Sequence, residues 1–308
     1  MSCELTNHIH PHLPEGNEKV AVACSAGIDS MVLLHLMLEL VGSERVVCLH
    51  YDHKVRADSH KAVEFLKDFC KQRNIKFICE VRTESIDKDS EEVLRNLRYS
   101  FFESACEKES VTTLYQAHNL NDNVETFIFR IFRGTNLSGL SSIPLKRMLG
   151  DINIVRPLLA VSKEQILNYA SEHKIAHIED YTNKQVKYQR NFIRHKILPL
   201  AKKINPKFLF NIKKLIDLRI EEEDFLYELI EQEVKDLRDL PIDLALMRSK
   251  PKYVQRKILE NLFTTNIDFV NQFLEAIEAG GFHRINFKND KFFTIKQKEI
   301  HLERSEDF

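Results

Sequence analysis

The chain has 308 residues, of which 43% are hydrophobic and 30% are charged, a composition typical of folded globular proteins and unlike that of disordered ones. Such a length accommodates one large domain and a smaller one. The sequence contains no uninterrupted apolar stretch of about 18 residues, and its N-terminus lacks a charged start followed by an apolar core. We therefore expect neither a membrane span nor a secretory signal, and we predict a cytoplasmic protein.

The formal net charge of −1 hides an uneven distribution. Residues 126–207 contain 15 Lys and Arg against 5 Asp and Glu, whereas residues 217–239 contain 10 acidic residues against 3 basic ones. The basic segment fits either an ordinary solvated surface or a nucleic-acid partner. The six cysteines all lie between residues 3 and 106, without a C-x-x-C pair. We therefore expect reduced, mostly buried thiols, and neither a disulfide framework nor a zinc site.

Strand-like and helix-like segments alternate over roughly the first half of the chain. The predicted strands are, in chain order, KVAVAC, RVVCLHY, IKFICEV, TTLYQAH and INIVRPLL. Two of the predicted helices have recognisable ends. Gly42 suits the position just after the first of them, and Ser162 with Gln165 forms a capping box at the start of the last. The alternation predicts an α/β fold, with a parallel five-stranded sheet and helices on both faces.

The pattern changes near residue 206. Asn205 and Pro206 predict the start of a long helix over 207–238. Two more helical segments follow, and the turn-forming residues KND predict a small terminal hairpin. We therefore predict an α/β domain over 1–206 and a mainly helical domain over 207–308.

The first predicted strand leads through the loop SAGIDS, residues 25–30, into a helix. Gly27 permits tight curvature and a close approach of amides to an anion, while Ser25 and Ser30 offer hydroxyl groups. The helix N-terminus adds unpaired N–H groups and the positive end of its dipole. The lysine of the G-x-x-x-x-G-K-[ST] loop is missing. The loop is thus a phosphate-binding candidate of another kind, the alternative being an ordinary strand-to-helix turn.

This loop resembles the pyrophosphate-binding loop (PP-loop) of the N-type ATP pyrophosphatases, usually Ser-Gly-Gly-x-Asp-Ser, with Ala26 in place of the first glycine. The resemblance implies an adenine nucleotide alpha hydrolase-like fold, with ATP cleaved between its α- and β-phosphates. The ATP-binding residues that it implies in the loop are Ser25, Ala26, Gly27, Ile28, Asp29 and Ser30. Tyr51, Asp52 and His53, after the second predicted strand, are the expected walls for adenine and ribose.

Further stretches resemble the family of tRNA(Ile)-lysidine synthetases: YDHKVRADS, EEVLRNLRY, AHNLNDNVET, RPLL and EDYTNKQVKYQRNFIRHKILP. The resemblance covers residues 18–204, and Asn121 stands where that family usually has an acid. The matched polar residues include Asp52, His53, Arg56, Ser59, Arg95, Arg98, His118, Asp122, Glu125, Arg156, Asp180, Asn183, Arg190, Asn191 and Arg194.

The resemblance implies an enzyme that joins free L-lysine to C2 of the wobble cytidine in an isoleucine tRNA with a CAU anticodon. ATP first adenylylates the cytidine, and AMP and pyrophosphate are released. Asp122 and Glu125 share a face of one predicted helix, so we expect them to hold lysine and help deprotonate it, with Arg98 on the lysine carboxylate. The structural alternatives are a helix cap for Asp122 and a surface ion pair for Arg98. Asp29 is a predicted catalytic residue that binds Mg²⁺ through the phosphates or orients the lysine ammonium.

We expect the tRNA to contact basic side chains, namely Arg130, Arg133, Lys187, Arg190, Arg194 and Lys196. His53 and His118 follow strands and are expected to be buried or to contact phosphate, since no metal-ligand set surrounds them.

A homodimer is a further expectation that the resemblance implies. Three alternatives remain: a tRNA thiolase, which would need a persulfide cysteine pair or an iron–sulfur C-x-x-C, an amidotransferase or NAD-synthetase-like enzyme, and a non-catalytic RNA-binding module with a degenerate loop.

Overall fold

The computed structural model describes residues 2–54, 58–82, 91–178, 189–234, 241–262, 267–281, 283–286, 291–296 and 298–304. The chain divides into two compact units, the first made of Met1–Phe129 and Ser142–Lys213 and the second of Arg130–Ser141 and Lys214–Phe308. Within the ranges given above, no helix is both long enough and apolar enough to span a lipid bilayer.

The first unit is built on a six-stranded sheet with the order β3-β2-β1-β4-β6-β5. Its strands are β1 (Val20–Ala23), β2 (Val46–Asp52), β3 (Lys76–Val81), β4 (Thr113–Tyr115), β5 (Lys146–Leu149) and β6 (Ile152–Val155). The five predicted strands are present and pair in parallel. The predicted strand count was wrong, because β5 adds an antiparallel edge strand beside β6. The side chains of β5 are mostly exposed, so it lacks the apolar pattern that marks a buried strand.

Helices surround this sheet. They are α1 (Ser2–Ile9), α2 (Ile28–Val41), α3 (His60–Gln72), α4 (Glu91–Lys108), α5 (Leu120–Arg133), α6 (Lys163–Glu172), α7 (Gln189–Phe192) and α8 (Leu198–Ile204), with a π-helical turn over Ile193–Ile197 between the last two. Gly42 ends α2 with a positive φ of 91°, and its N–H donates to the carbonyl of Leu38, which confirms its predicted position. The sequence patterns did not predict α1, although its Leu5 and Ile9 are buried in the core.

The two faces of the sheet carry separate apolar cores, as the alternation of side chains along β1 requires. Val20 and Val22 pack in a cluster with residues of α2, α3 and α6. Ala21, on the opposite face, packs in a cluster with Tyr99 and Phe102 of α4. This arrangement confirms the predicted helices on both faces, and burying each large apolar side chain contributes roughly 1.5–3 kcal/mol.

The second unit combines helices with a small antiparallel sheet of order β7-β10-β9-β8. Its elements are α9 (Phe208–Val234, which begins in the first unit), β7 (Ile242–Asp243), α10 (Leu244–Ser249), α11 (Lys252–Leu262), α12 (Ile267–Ala279), β8 (His283–Asn286), β9 (Lys291–Lys296) and β10 (Glu299–Arg304). The predicted terminal hairpin is therefore part of a four-stranded sheet, and its KND turn lies outside the described residues. The compact units divide at Lys213, inside α9, whereas the predicted boundary at 206 lies in the turn before that helix.

The strand order fixes where a ligand can bind. From β1 the chain builds outward through β2 and β3 on one side, and then through β4 and β6 on the other. Neighbouring loops diverge at such a switch point, which leaves a crevice beyond the carboxyl ends of the strands. The SAGIDS loop follows β1 and the segment 116–119 follows β4, so both border this crevice.

Candidate functional site

A cavity of about 290 Å³ lies where β1, β2 and β4 end. Most of its lining belongs to segments that the sequence singled out, and α4 closes one wall. The lining residues are Ala23, Cys24, Ser25, Asp29, Ser30, His50, Tyr51, His53, Arg98, Phe102, Gln116, Ala117 and His118. The structure thus brings together the loop, the predicted nucleotide walls and Arg98, which are distant in sequence.

The two serines of the loop hold its shape. The hydroxyl of Ser30 donates to the carbonyl of Gly27 at 2.8 Å and accepts from the N–H of Ser25 at 3.1 Å. Ala26 has a positive φ of 65°, whereas Gly27 has an ordinary φ of −74°. The tight turn expected at Gly27 is therefore made by Ala26. Because an L residue is strained in this left-handed region, glycine is the natural residue at position 26 of such a loop.

The loop ends at the N-terminus of α2. Gly27 is the N-cap residue, and no side chain caps this end of the helix. The first N–H groups of a helix lack intrahelical acceptors, and together with the helix dipole they favour an anion. The hydroxyls of Ser25 and Ser30 lie at the same end of the cavity. This end therefore suits a phosphate group.

Asp29 is paired with a cation that the sequence patterns did not connect to the loop. The Nζ atom of Lys163 donates to both carboxylate oxygens of Asp29, at 2.6 and 2.7 Å. Asn119, just after β4, donates its side-chain N–H to the same carboxylate at 3.1 Å. The side chains of Lys163 and Asp29 are 34% and 31% exposed, so the pair borders solvent. The loop has no lysine of its own, but Lys163 of α6 places an ammonium group beside it.

Lys163 is the first residue of α6, and the N-terminus of that helix is doubly fixed. Ser162 and Gln165 form the capping box that the sequence predicted. The backbone N–H of Lys163 also donates to the side-chain oxygen of Asn121 at 3.0 Å. An aspartate at position 121 would offer an equivalent oxygen, so the departure at Asn121 preserves this contact.

Asp122 and Glu125 of α5 share one arginine, Arg194. The guanidinium group donates to both oxygens of Glu125 at 2.7 Å and to Asp122 at 3.0 Å. The second oxygen of Asp122 accepts the backbone N–H of Asn119 at 3.0 Å. Asp122 is therefore both the helix cap of the structural alternative and a member of a carboxylate pair. Burial, and then the charge of Glu125, raise the pKa of Asp122 to about 6.

The assignments of residues to L-lysine and to RNA stay predictions, but the structure shows contacts of these residues that the sequence did not predict. Arg194, predicted to contact RNA, neutralises Asp122 and Glu125 instead of facing solvent without a partner. Arg98, predicted to bind the lysine carboxylate, lines the cavity with Asp29. The two carboxylates are linked to that cavity through Asn119, which bonds both Asp29 and Asp122.

The histidines after β2 and β4 are neutral at pH 7. Burial, followed by the charges of Arg98 and Arg82, lowers the pKa of His53 to about 4. Burial and a larger group of arginines, led by Arg156, lower the pKa of His118 to about 3. The Nδ1 atoms of both rings are buried and have no hydrogen-bond partner in the described part of the chain. Both rings therefore line the cavity as polar groups without charge.

The end of β2 shapes the opposite wall. The rings of Tyr51 and His53 meet edge to face, with centroids 4.7 Å apart. Asp52, an expected nucleotide wall, is not among the described residues that line the cavity. Its carboxylate accepts from the N–H of Lys54 at 2.9 Å and from the hydroxyl of Ser59 at 3.0 Å. Asp52 therefore folds the segment after β2, while Tyr51 and His53 provide the cavity surface.

Arginines gather around Tyr99, next to this cavity. The guanidinium carbons of Arg95, Arg98 and Arg147 lie 5.3, 6.0 and 5.8 Å from the centre of its ring. Buried Arg156 contributes a further positive charge close to Tyr99. So many like charges in one place favour an anionic partner with several charges.

The remaining residues predicted to contact RNA are dispersed. The guanidinium of Arg190 lies over the ring of Phe129, 5.5 Å from its centre. Arg130 donates to the carbonyl of Gly139 at 2.6 Å, and Arg133 is exposed in the last turn of α5. Four of the individually named matched or basic residues lie outside the described residues, namely Arg56, Asp180, Asn183 and Lys187.

The fold and the loop define a class. Residues 2–201 match the family described as PP-loop domain, and the chain belongs to this family. The chain is 36% identical over 199 residues to the tRNA(Ile)-lysidine synthase of Lactiplantibacillus plantarum, covering 63% of this chain and 44% of that protein. It is 34% identical over 260 residues to the tRNA(Ile)-lysidine synthase of Thermotoga sp. (strain RQ2), covering 79% of this chain and 62% of that protein.

The chain thus spans less than two thirds of the length of either relative. Among solved structures, the U34-tRNA thiolase NcsA from Methanococcus maripaludis with its [4Fe-4S] cluster is similar, with a TM-score of 0.59 and 15% identity. That similarity covers 71% of this chain and 78% of the thiolase. At such low identity it supports the fold alone.

Proposed function

We propose that this chain catalyses the ATP-dependent joining of L-lysine to C2 of the wobble cytidine in an isoleucine tRNA with a CAU anticodon. One observation carries the proposal: the PP-loop and the carboxylate pair Asp122–Glu125 meet at adjacent strand ends, and Asn119 bonds to both Asp29 and Asp122. This arrangement supports a phosphate site beside a site for a cationic amine. The relatives named tRNA(Ile)-lysidine synthase agree with that combination.

In the first step, the cytidine O2 attacks the α-phosphorus of ATP. The bond from that phosphorus to the bridging oxygen breaks, and its electron pair leaves with pyrophosphate. The hydroxyls of Ser25 and Ser30 and the amides at the start of α2 lie where this charge would develop. The ammonium of Lys163 reaches the same region and can exchange Asp29 for a phosphate oxygen.

Asp29 also suits Mg²⁺. It is the one carboxylate among the described residues that line the cavity, and Mg²⁺ is usually held by one or two carboxylates together with substrate phosphates. When bound, the ion would neutralise phosphate charge. Asp29 would hold it after Lys163 has turned toward the nucleotide.

In the second step, the ε-amine of lysine attacks C2 of the adenylylated cytidine, and AMP leaves. The amine must lose a proton before it can attack. We assign this role to Asp122, because a carboxylate with a pKa near 6 is a better base than an ordinary one. Glu125 then holds the α-amine and Arg98 the lysine carboxylate. Arg194 occupies the carboxylate pair in the absence of substrate and is displaced by the cationic ligand.

The anticodon arm would approach through the arginines around Tyr99. Arg95 and Arg147 are both exposed and flank this ring, so they can reach phosphates of the RNA backbone. Arg130, Arg133 and Arg190 stay predicted RNA contacts, and phosphate contacts of this kind would position the RNA without reading its sequence. A cytoplasmic location and a homodimer remain predictions.

The decisive experiment combines the full chain, ATP, isotope-labelled L-lysine and an isoleucine tRNA transcript with a CAU anticodon. Nucleoside mass analysis is expected to find the label on the wobble cytidine. Asp29→Asn is expected to lower the rate by at least about 100-fold, because it removes the charge beside the phosphates. The matched control is Asp68→Asn, at an exposed position of α3. This variant is expected to keep wild-type activity.

A transcript with uridine at the wobble position is the substrate control and is expected to stay unlabelled. Failure of the folded wild-type chain to incorporate lysine would refute the proposal. If the chain bound the tRNA without any ATP–pyrophosphate exchange, it would be the non-catalytic RNA-binding module instead.

The thiolase alternative has less support. Four of the described cysteines are buried, and the fifth, Cys79, is half-buried. Burial raises the pKa of Cys79 to about 11 and that of Cys106 to about 12, so both remain thiols at neutral pH. Since sulfur transfer needs a reactive thiolate or a cluster ligand, we expect Cys24→Ser and Cys106→Ser to leave lysine incorporation intact.

A further inference from the structure

Away from the cavity, two helices of the first unit bring two imidazoles and a carboxylate together. His35 and Glu39 are one turn apart on α2, and His173 directly follows α6. One potential ligand atom from each of the three lies within 4.8 Å of the other two. Within the part of the chain that the structure describes, no other group of His, Cys, Asp and Glu side chains meets this criterion.

Buried Tyr169 orients the carboxylate. Its hydroxyl donates to Oε2 of Glu39 at 3.1 Å, while Oε1 of Glu39 lies 3.8 Å from Nδ1 of His35. Two ligand atoms of a tetrahedral zinc ion, each about 2.0–2.2 Å from the metal, are about 3.3–3.6 Å apart. Nδ1 of His35 also contacts the Tyr169 hydroxyl at 3.2 Å. A small side-chain rotation therefore brings the His35–Glu39 pair to coordination distance and replaces that hydrogen bond. A hydroxyl that fixes the second oxygen of a ligating carboxylate is a common feature around metal sites.

The surroundings of both imidazoles are compatible with metal binding. Burial is the main cause that lowers the pKa of His35, with Glu39 acting in the opposite direction. The Nε2 atom of His173 is buried and has no hydrogen-bond partner in the described residues. Because buried polar atoms normally have partners, this nitrogen points to a missing ligand.

We propose that His35, Glu39 and His173 bind one divalent transition-metal ion, with Zn²⁺ as the best fit. Two imidazoles and one carboxylate form a typical zinc ligand set, and water completes the coordination. Arg73 is the nearby cation, and its guanidinium is directed over the ring of Phe69, 3.9 Å from its centre. The Zn²⁺ ion would link α2 to α6, the two helices whose first turns contain Asp29 and Lys163.

Cobalt provides a direct spectroscopic test on the full chain after chelation and dialysis. One equivalent of Co²⁺ is expected to produce d–d absorption bands, which Zn²⁺ then removes by competition. Glu39→Gln keeps the shape of the side chain and is expected to weaken binding at least tenfold. His35→Gln combined with His173→Gln is expected to abolish it. Zn²⁺ is also expected to raise the melting temperature of the wild type, but not that of the double variant.

The N-terminal histidines supply a matched control. His8, His10 and His12 are close in sequence and offer the most obvious competing binding site. The variant with His8→Gln and His10→Gln also loses two imidazoles, yet it is expected to keep the cobalt bands. Loss of the bands in this control, an unchanged cobalt affinity in Glu39→Gln, persistence of the bands in the double variant, or their absence in the wild type would each overturn the proposal. These readouts need neither ATP nor tRNA, so they are independent of the proposed ligase activity.

Discussion

Ala26 carries the backbone strain of the PP-loop. Replacing it by glycine relieves about 1–2 kcal/mol of left-handed strain, but it loses a buried methyl group worth about 0.8 kcal/mol and adds about 0.5–1 kcal/mol of unfolded-state entropy. We therefore expect Ala26→Gly to change the free energy of unfolding by less than about 1 kcal/mol.

Ala26→Val is the contrasting change. A β-branched side chain is poorly tolerated at positive φ, and Ala26 is fully buried. We expect a loss of about 3 kcal/mol or more from strain and overpacking together, measured by urea denaturation. If valine were accepted without loss, the left-handed backbone would not be what shapes this loop.

Asp122 makes stability depend on pH. The folded state raises its pKa from 3.8 to about 6, so the folded chain binds this proton more tightly than the unfolded chain does. The stability contribution of Asp122 therefore falls as pH rises from about 4 to about 6, by up to about 3 kcal/mol for a shift of about two pH units. Asp122→Asn is expected to remove this decline, as measured by the free energy of unfolding at pH 4 and pH 7.

Asp68→Asn is the reference for that measurement, because Asp68 is exposed on α3. It is expected to retain the wild-type difference between the two pH values. An unchanged difference in Asp122→Asn would show that the carboxyl group titrates normally.

At the scale of elements, the N-terminus of α6 is held by the capping box of Ser162 and Gln165. Ser162→Ala removes the side-chain acceptor and is expected to cost about 1 kcal/mol of stability. Ser171→Ala, at an exposed position of the same helix, is expected to be neutral or slightly stabilising. Thermal denaturation of both variants measures this difference. Equal melting temperatures would contradict the prediction and would indicate that the contact between Asn121 and Lys163 stabilises the N-terminus of α6 instead.

Elements with a local pattern were predictable. The five parallel strands, the capping box of α6 and the glycine after α2 each leave a signal within a few residues. The exposed edge strand β5 has no such signal, since its conformation depends on pairing with β6. The C-terminal sheet was reduced to a hairpin for the same reason, because β7 joins β10 from 56 residues away in sequence.

At the scale of the whole molecule, the loop and the carboxylates of the candidate site were predictable, but their partners were not. Lys163 pairs with Asp29 across 134 residues, and Arg194 with Glu125 across 69. Only the strand order brings these segments together. The spacing of Asp122 and Glu125 predicts that they share one helix face. It does not predict that Arg194 bonds to both of them.

Binding of tRNA is expected to weaken with salt because it relies on phosphate contacts. Arg95→Gln and Arg147→Gln are each expected to reduce the slope of log affinity against log salt by about one. Fluorescence anisotropy with labelled tRNA at several salt concentrations measures this slope. Lys67→Gln, exposed on α3, is the control and is expected to leave the slope unchanged. Unaltered slopes in both arginine variants would place the RNA elsewhere.

The Lys163–Asp29 pair predicts coupling between the two proposed substrates. Under the proposed function, a triphosphate that attracts Lys163 frees Asp29 to bind Mg²⁺ or to attract the ammonium of L-lysine. Each substrate then raises the affinity for the other by the same factor, typically about 5–150-fold for such coupling. Calorimetry of L-lysine binding, with and without a non-hydrolysable ATP analogue, is expected to show this gain. Lys163→Met is expected to abolish the gain, and Lys67→Met to preserve it. In the absence of nucleotide, the ammonium of Lys163 thus occupies the position beside Asp29 that a bound cation would take.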